Sequence, residues 1–233
     1  MDSFNLVFSA HEYLYIFAAP VKIISFFNEA CFITAITFFC YCIKESASEV
    51  KLDSMKIKHA LNKSGIVPDV IDVFPKSALQ IEYYNKGYNK QVAFGNYLSR
   101  WNTFEAPVNI SYPTEPNAYY ALIMTDPDCP SREKPTHREW QHWVLVNIPG
   151  ANWTQGFCLT EYIGILREYE FAIHRYVFLL YKQPGKLKFT ERVLDIRPVE
   201  EWRCKFSTRN FAKKYKFGDP IAVNFFMSDL GGS

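Results

Sequence analysis

Beyond residue 64 the chain sets apolar and polar positions in short alternating blocks separated by turn formers, the period-2 signature of sheet strands. Leu79–Tyr84 reads as one strand and Lys86-Gly-Tyr-Asn89 as a turn after it. Tyr119–Thr125, Trp143–Ile148 and Arg175–Tyr181 are rich in β-branched and aromatic residues and predict further strands, and Ile221–Met227 predicts a closing one. Helical spacing shows in Ser207–Tyr215, which opens with capping residues and sets Phe211 and Tyr215 four apart. Many short strands, long connections and little helix predict a mainly β fold, with antiparallel sheets and a few short helices.

Residues 1–64 follow a different pattern. Tyr13–Phe27 is apolar apart from Lys22 and a helix-interrupting Pro20, and after Asn28-Glu29 the run Ala30–Ile43 carries no charge. That run is shorter than the roughly 20 residues of a membrane span and fits the core of a signal peptide, about 7–15 residues. Ser46-Ala-Ser48 offers small residues for cleavage. Against a signal peptide stand the long stretch ahead of the run and the Glu29 it contains; a single helix joining both runs would be kinked at Pro20 and hold Glu29 inside, where a charge at a membrane centre costs about 2.5–3.5 kcal/mol. Three origins stay open: a signal sequence on a secreted protein, which is the preferred expectation; an anchor touching the membrane; or a leader absent from a cytoplasmic chain starting at Met55. Ala30–Ile43 is expected to form a helix detached from the globular part. Lys51–Ser64, polar and lysine-rich, reads as a short helix or a linker that serves as a spacer, so the folded domain is expected over residues 65–230 and to survive deletion of 1–64.

Composition narrows the partners. A formal net charge of +2, a pI near 8.1 and the absence of a lysine or arginine run argue against nucleic acid. With 48% hydrophobic residues, 233 positions suffice for a sizeable core. Cys31, Cys40 and Cys42 lie in the apolar leader, and Cys129, Cys158 and Cys204 are scattered beyond it. No Cys-x-x-Cys pair occurs, which argues against zinc, and the odd count in each half leaves room for one bridge at most between free thiols.

The chemistry concentrates in residues 120–150, where Asp126, Asp128, His137, His142, two tryptophans and four prolines lie between two apolar runs. A bland connection needs only a few turn residues, so such crowding points to a site. Alternation puts Asp126 on one side of its strand with Leu122 and Met124, His142 with Trp140, Val144 and Val146, and His174 with Tyr176, Phe178 and Leu180. Each polar residue then ends an apolar face, and antiparallel pairing brings Asp126 and His142 together. A carboxylate helps a neighbouring imidazole keep its proton, and imidazolium plus a tyrosine hydroxyl makes a donor set for an oxyanion such as phosphate. Asp128 and Ser131 fit local turn formation, His174 suits a satisfied core histidine equally well, His137 reads as solvent-exposed, and Trp143 and Trp153 as core. A hydrolase triad of Ser131, His142 and Asp126 lacks the Gly-x-Ser-x-Gly elbow, and a metal site of Asp126, His142 and His174 lacks compact spacing. Neither an enzyme nor a cofactor is expected.

Asp126-Pro-Asp-Cys-Pro-Ser131, Arg138-Glu-Trp-Gln-His142 and His174-Arg-Tyr176 occur in this order. Together they resemble the phosphatidylethanolamine-binding, or Raf kinase inhibitor, protein family, over residues 65–230 and in its insect members above all. The resemblance implies a pre-formed pocket for the phosphate of a phospholipid head group. Motif by motif, that pocket falls on Asp126, Pro130, Trp140, His142 and Tyr176, with His174 and Asp128 close behind, and Gly164 keeps one family glycine. It also implies cis bonds at Cys129–Pro130 and Arg138–Glu139. The chain departs from the family in its anion loop, where Leu166, Arg167-Glu168 and Glu170-Phe-Ala172 replace glycines and prolines, and in stopping at Asp229-Leu-Gly-Gly-Ser233. The expected function is therefore non-catalytic binding of a small phosphate-like anion or phospholipid head group by a monomer. The alternative is a protein-interaction module that restrains a kinase or serine protease.

Overall fold

The structure, a computed structural model, describes residues 54–165 and 172–228. The leader helix expected at Ala30–Ile43, the substitutions at 166–171 and the end at 229–233 lie outside the described residues. The order is α1 (54–64), α2 (Ile66–Asp69), β1 (Ser77–Ala78), β2 (Gln80–Asn85), β3 (Tyr88–Gln91), β4 (Asn96–Tyr97), β5 (Asn109–Ser111), β6 (Tyr119–Asp126), β7 (Trp140–Pro149), a 3₁₀ turn (Trp153–Gln155), β8 (Phe157–Thr160), β9 (His174–Gln183), α3 (Glu200–Arg203), α4 (Thr208–Lys214) and β10 (Ala222–Ser228). The predicted strands and helix are all present, and the long ones extend past their predicted ends.

The main sheet runs β1-β10-β9-β6-β7-β8, with β4 also on β10. Pairing is antiparallel throughout its centre, while the two-residue strands β1 and β4 join β10 in parallel. A second antiparallel sheet, β3-β2-β5, carries the predicted turn at Lys86-Gly87, both at positive φ as a tight hairpin requires. Both faces of the main sheet are covered. On one face Ala121, Ile123, Val177, Leu179 and Val223 pack with Ile57 and Leu61 of α1 and Phe211 of α4. On the other, Leu122, Met124, Phe178, Leu180 and Phe226 meet Leu79, Ile81 and Tyr83 beneath the smaller sheet. Burial on two sides explains why β6 reads as a nearly unbroken apolar run rather than a clean alternation.

Of the two readings of 51–64, α1 bears out the short helix, and its packing corrects the spacer role. Ile57 is 1% and Leu61 0% exposed, and Ser64 is buried a turn later, while Lys56, Lys58 and Lys63 face solvent. Lysine-rich composition concealed an i, i+4, i+7 stripe, which marks a helix lying on a core. The folded unit therefore starts before Gly65.

A buried charge cluster locks this helix to the sheet. Arg175, 1% exposed, donates to Asp128 through Nε at 2.8 Å and Nη2 at 2.5 Å, to Asp69 at 2.6 Å, and to the Ser64 carbonyl at 3.0 Å. Arg138 grips both Asp69 oxygens at 2.6 and 2.7 Å. Asp128 is thus the partner of a buried guanidinium, not a residue that folds back on its own turn; Ser131, whose Oγ accepts from the Lys134 amide at 3.2 Å, is the turn former. Leu61→Ala should destabilise the protein by about 2–5 kcal/mol, the range for truncating a buried leucine. Urea unfolding should also show a fragment starting at Gly65 to be less stable than one starting at Leu52, and equal midpoints would place α1 outside the cooperative unit.

Candidate functional site

Three strand ends meet at one edge of the main sheet. Asp126 closes β6 and pairs with Trp140 at the start of β7, while His174 opens β9 on the far side of β6. The antiparallel pairing expected of Asp126 and the His142 strand is present. The expected face of β7 is not, because the ladder slips between Met124/Trp143 and Thr125/Gln141. Beyond that bulge Val144 and Val146 join the helix-side core, whereas His142 sets its ring edge-on to Tyr176, centroids 5.2 Å apart. The extra residue turns His142 toward the face occupied by Asp126, a known use of bulges beside sites.

The carboxylate's partner is His174. Its Nδ1 lies 2.7 Å from Asp126 Oδ2, and Asp126 Oδ1 accepts from the Asp128 amide at 2.7 Å. Its Nε2 faces the Pro130 carbonyl at 3.1 Å. A carboxylate and a carbonyl both accept, so both ring nitrogens donate and His174 is an imidazolium. Burial alone would lower its pKa, but the hydrogen bond and charge of Asp126, with Asp128 beyond, hold it above the ordinary value.

His142 is the opposite case. Its Nδ1 donates to the Ile163 carbonyl at 2.9 Å, and burial pushes its pKa below the ordinary value despite Asp126; Arg203 and His174 push it down further. The protonated imidazole beside the carboxylate is therefore His174, with His142 neutral. Among the described residues neither Nε2 of His142 nor the Tyr176 hydroxyl has a hydrogen-bond partner. Tyr176 is 4% exposed, stacks on Phe226 at 4.9 Å and on His174 at 6.3 Å, and burial lifts its phenol well above its usual range. The cluster offers an oxyanion a neutral phenol donor and one imidazole nitrogen, over a compensated ion pair.

The remaining predicted residues divide. Trp140 is buried with Cys129 and Ile163 behind the site, and Pro130 stands half-buried at its edge. The Cys129–Pro130 and Arg138–Glu139 bonds are cis, as expected. Gly164 has a packing reason: a Cβ there would stand 2.3 Å from the Thr103 carbonyl oxygen, so only glycine lets segment 99–106 approach. It lines a separate 560 Å³ cavity with Arg100, Phe104 and Tyr162. His137 is half-buried against Glu200 at 3.2 Å. Trp143 and Trp153 pack edge to face at 5.8 Å in the core, as read. No triad forms, because Asp126 is held by His174 and His142 turns Nδ1 to a carbonyl. Cys158 and Cys204 are free thiols.

Sequence reasoning missed Arg203. It is 0% exposed and donates to the carbonyls of Arg197 at 3.1 Å, Gln141 at 3.0 Å, His142 at 3.5 Å and Glu161 at 3.0 Å, and to that of Asp195. Nothing in Glu200-Glu-Trp-Arg203 marks it, since an arginine ending a short acidic helix looks solvated.

The match to known proteins covers this same region. Residues 88–226, more than half the chain, match the sequence model of the phosphatidylethanolamine-binding protein family. A Drosophila melanogaster protein named putative odorant-binding protein A5 is 30% identical over 172 residues, 74% of this chain and 80% of that one. Among solved structures, a carboxypeptidase Y inhibitor complexed with its cognate proteinase superposes with a TM-score of 0.62 at 26% identity, over 76% of this chain and 96% of that one. A phosphatidylethanolamine-binding protein from Plasmodium vivax gives a TM-score of 0.57 at 25% identity, over 73% and 96%. With the three motifs gathered at one sheet edge in this fold, the chain belongs to the phosphatidylethanolamine-binding protein family.

Proposed function

We propose that the protein is a non-catalytic binder of a small phosphate-bearing anion, of the kind a phospholipid head group presents. The observation that supports this most is the juxtaposition of two polar groups without a hydrogen-bond partner among the described residues, His142 Nε2 and the Tyr176 hydroxyl, on side chains that are otherwise buried. Neither atom is among the fully buried unpartnered ones, so both reach solvent, where a ligand oxygen can take the place of water. The Asp126–His174 pair supports the site from below and has no valence left for a ligand.

Titration of inorganic phosphate into the protein, followed by the imidazole NMR signals, tests this reading. His142→Ala should weaken binding by about 1.5–3 kcal/mol, the scale of a hydrogen bond to a charged group, and unchanged affinity would move the ligand elsewhere. In the same spectra His174 should titrate above the ordinary histidine value of 6.5 and His142 below it. By linkage the Asp126–His174 pair stabilises the fold fully below that value and loses its contribution as pH rises through the raised pKa.

A second reading is favoured by the likeness to an inhibitor solved with its proteinase. Under it, a surface such as the exposed Trp101 and Phe104 meets a protease or kinase. Dose-dependent inhibition of carboxypeptidase Y that survives His142→Ala would support this reading, and absence of inhibition at saturating protein would count against it. We also propose secretion, on the leader pattern alone. Mass spectrometry of the natural protein should then find a mature N-terminus near Glu49, whereas an intact Met1 would mean an anchor.

A further inference from the structure

Three asparagines head the triplet Asn-x-Ser/Thr with a residue other than proline between: Asn62-Lys-Ser64, Asn109-Ile-Ser111 and Asn152-Trp-Thr154. The triplet is the acceptor for N-linked glycosylation, which reaches chains that enter the secretory pathway. Transfer needs the asparagine amide and the hydroxyl two residues on to be presented together, and the sugar needs open solvent once the chain has folded. The three triplets differ on these counts.

Asn62 lies in the last turn of α1, where residues two apart do not face each other. Asn62 is exposed, but Ser64 is buried and its hydroxyl donates to the Leu61 carbonyl at 3.1 Å. Asn109 and Ser111 share the outer face of β5, yet two steps along an extended strand set them about 6.6 Å apart. Pairing with Glu82 and Gln80 of β2 holds them in that register.

Asn152-Trp-Thr154 occupies the loop between the end of β7 at Pro149 and the start of β8 at Phe157. Thr154 Oγ1 donates to Asn152 Oδ1 at 2.8 Å, so amide and hydroxyl stand together, and both residues are exposed. Trp153 between them turns inward, edge-on to Trp143 at 5.8 Å, and leaves its neighbours facing water. The turn closes locally: the Asn152 amide donates to the Pro149 carbonyl, and the Asn152 carbonyl accepts from the Gln155 amide, each at 3.1 Å. A nascent chain therefore offers the triplet much as the folded protein does. The hydroxyl contact alone is also what a plain turn former makes. It engages Oδ1 only, and Nδ2 has no hydrogen-bond partner among the described residues.

We propose that Asn152 carries an N-linked oligosaccharide. This rests on the proposed entry of the chain into the secretory pathway, not on the anion site. Nδ2 forms a C–N bond to C1 of the first sugar, and the C1–O bond to a lipid pyrophosphate donor breaks. The lipid pyrophosphate leaves with the bonding pair, and one amide proton passes to a base of the transferase. The sugar stays clear of the histidines, because Pro149 ends β7 seven residues beyond His142, about 23 Å along an extended strand.

The full chain, expressed in eukaryotic cells, is treated with peptide N-glycosidase in heavy-oxygen water and mapped by mass spectrometry. The glycosidase leaves aspartate where the sugar was, so position 152 should appear as isotope-labelled Asp. Asn152→Gln and Thr154→Ala should each abolish that modification, whereas Thr154→Ser, which keeps the hydroxyl, should retain it. A secreted chain with Asn152 unmodified would overturn the proposal, as would label at position 62 or 109 without label at 152. A sugar-free chain held in the cytosol would overturn both the proposal and the secretion reading beneath it. A chain glycosylated at Asn152 but kept in the membrane with Met1 intact would support the proposal and overturn secretion alone.

Discussion

The buried guanidinium of Arg175 is the constraint on which the rest of the arrangement depends. It stands at the start of β9 between His174 and Tyr176, so strand alternation sends its side chain to the helix face and theirs to the opposite one. Held there by Asp128, Asp69 and the Ser64 carbonyl, it fixes the start of β9 against the loop after β6 and against the end of α1. Burying an isolated charge is costly, and the bidentate geometry with two carboxylates offsets that cost only if all three segments are in place. One residue thus sets the position of the two site residues that flank it without touching a ligand.

The two site histidines show how partners, rather than residue type, decide protonation. Both are nearly fully buried within one aromatic cluster around Tyr176. His174 faces two acceptors and carries a charge that Asp126 matches. His142 faces one acceptor and has a guanidinium behind it, so it stays neutral. The result is a polar floor with its charges compensated and one imidazole nitrogen and one phenol left over.

The strand pattern carried most of the fold, because β-branched and aromatic runs between turn formers have few other ways to bury themselves. It failed where composition and position diverged. In α1 the lysines dominate the residue count while Ile57 and Leu61 carry the packing. The strands β1, β4 and β5 have two or three residues and leave no period to detect. At the site, the structure brings Asp126, His142, His174 and Tyr176, to which the motifs point, to one sheet edge. Asp126 bonds His174 rather than His142 because β9 flanks β6 on the side away from β7, and strand order leaves no mark in local alternation. Arg203 was invisible for a related reason: its partners are backbone carbonyls from three separate segments, and carbonyls leave no mark in a sequence.

Those carbonyls bear on how the molecule is made. The guanidinium that binds β7, the segment just after β8 and the 195–197 stretch leaves the ribosome some sixty residues after His142, roughly the difference between their positions. β10, which covers the open edge of β9, comes later still. A nascent chain can carry every recognisable motif of the family and still lack both the charge beneath His142 and the strand beside His174. The last fifth of the chain, with no motif of its own, is therefore the part that turns a partly paired sheet with an exposed edge into a finished protein.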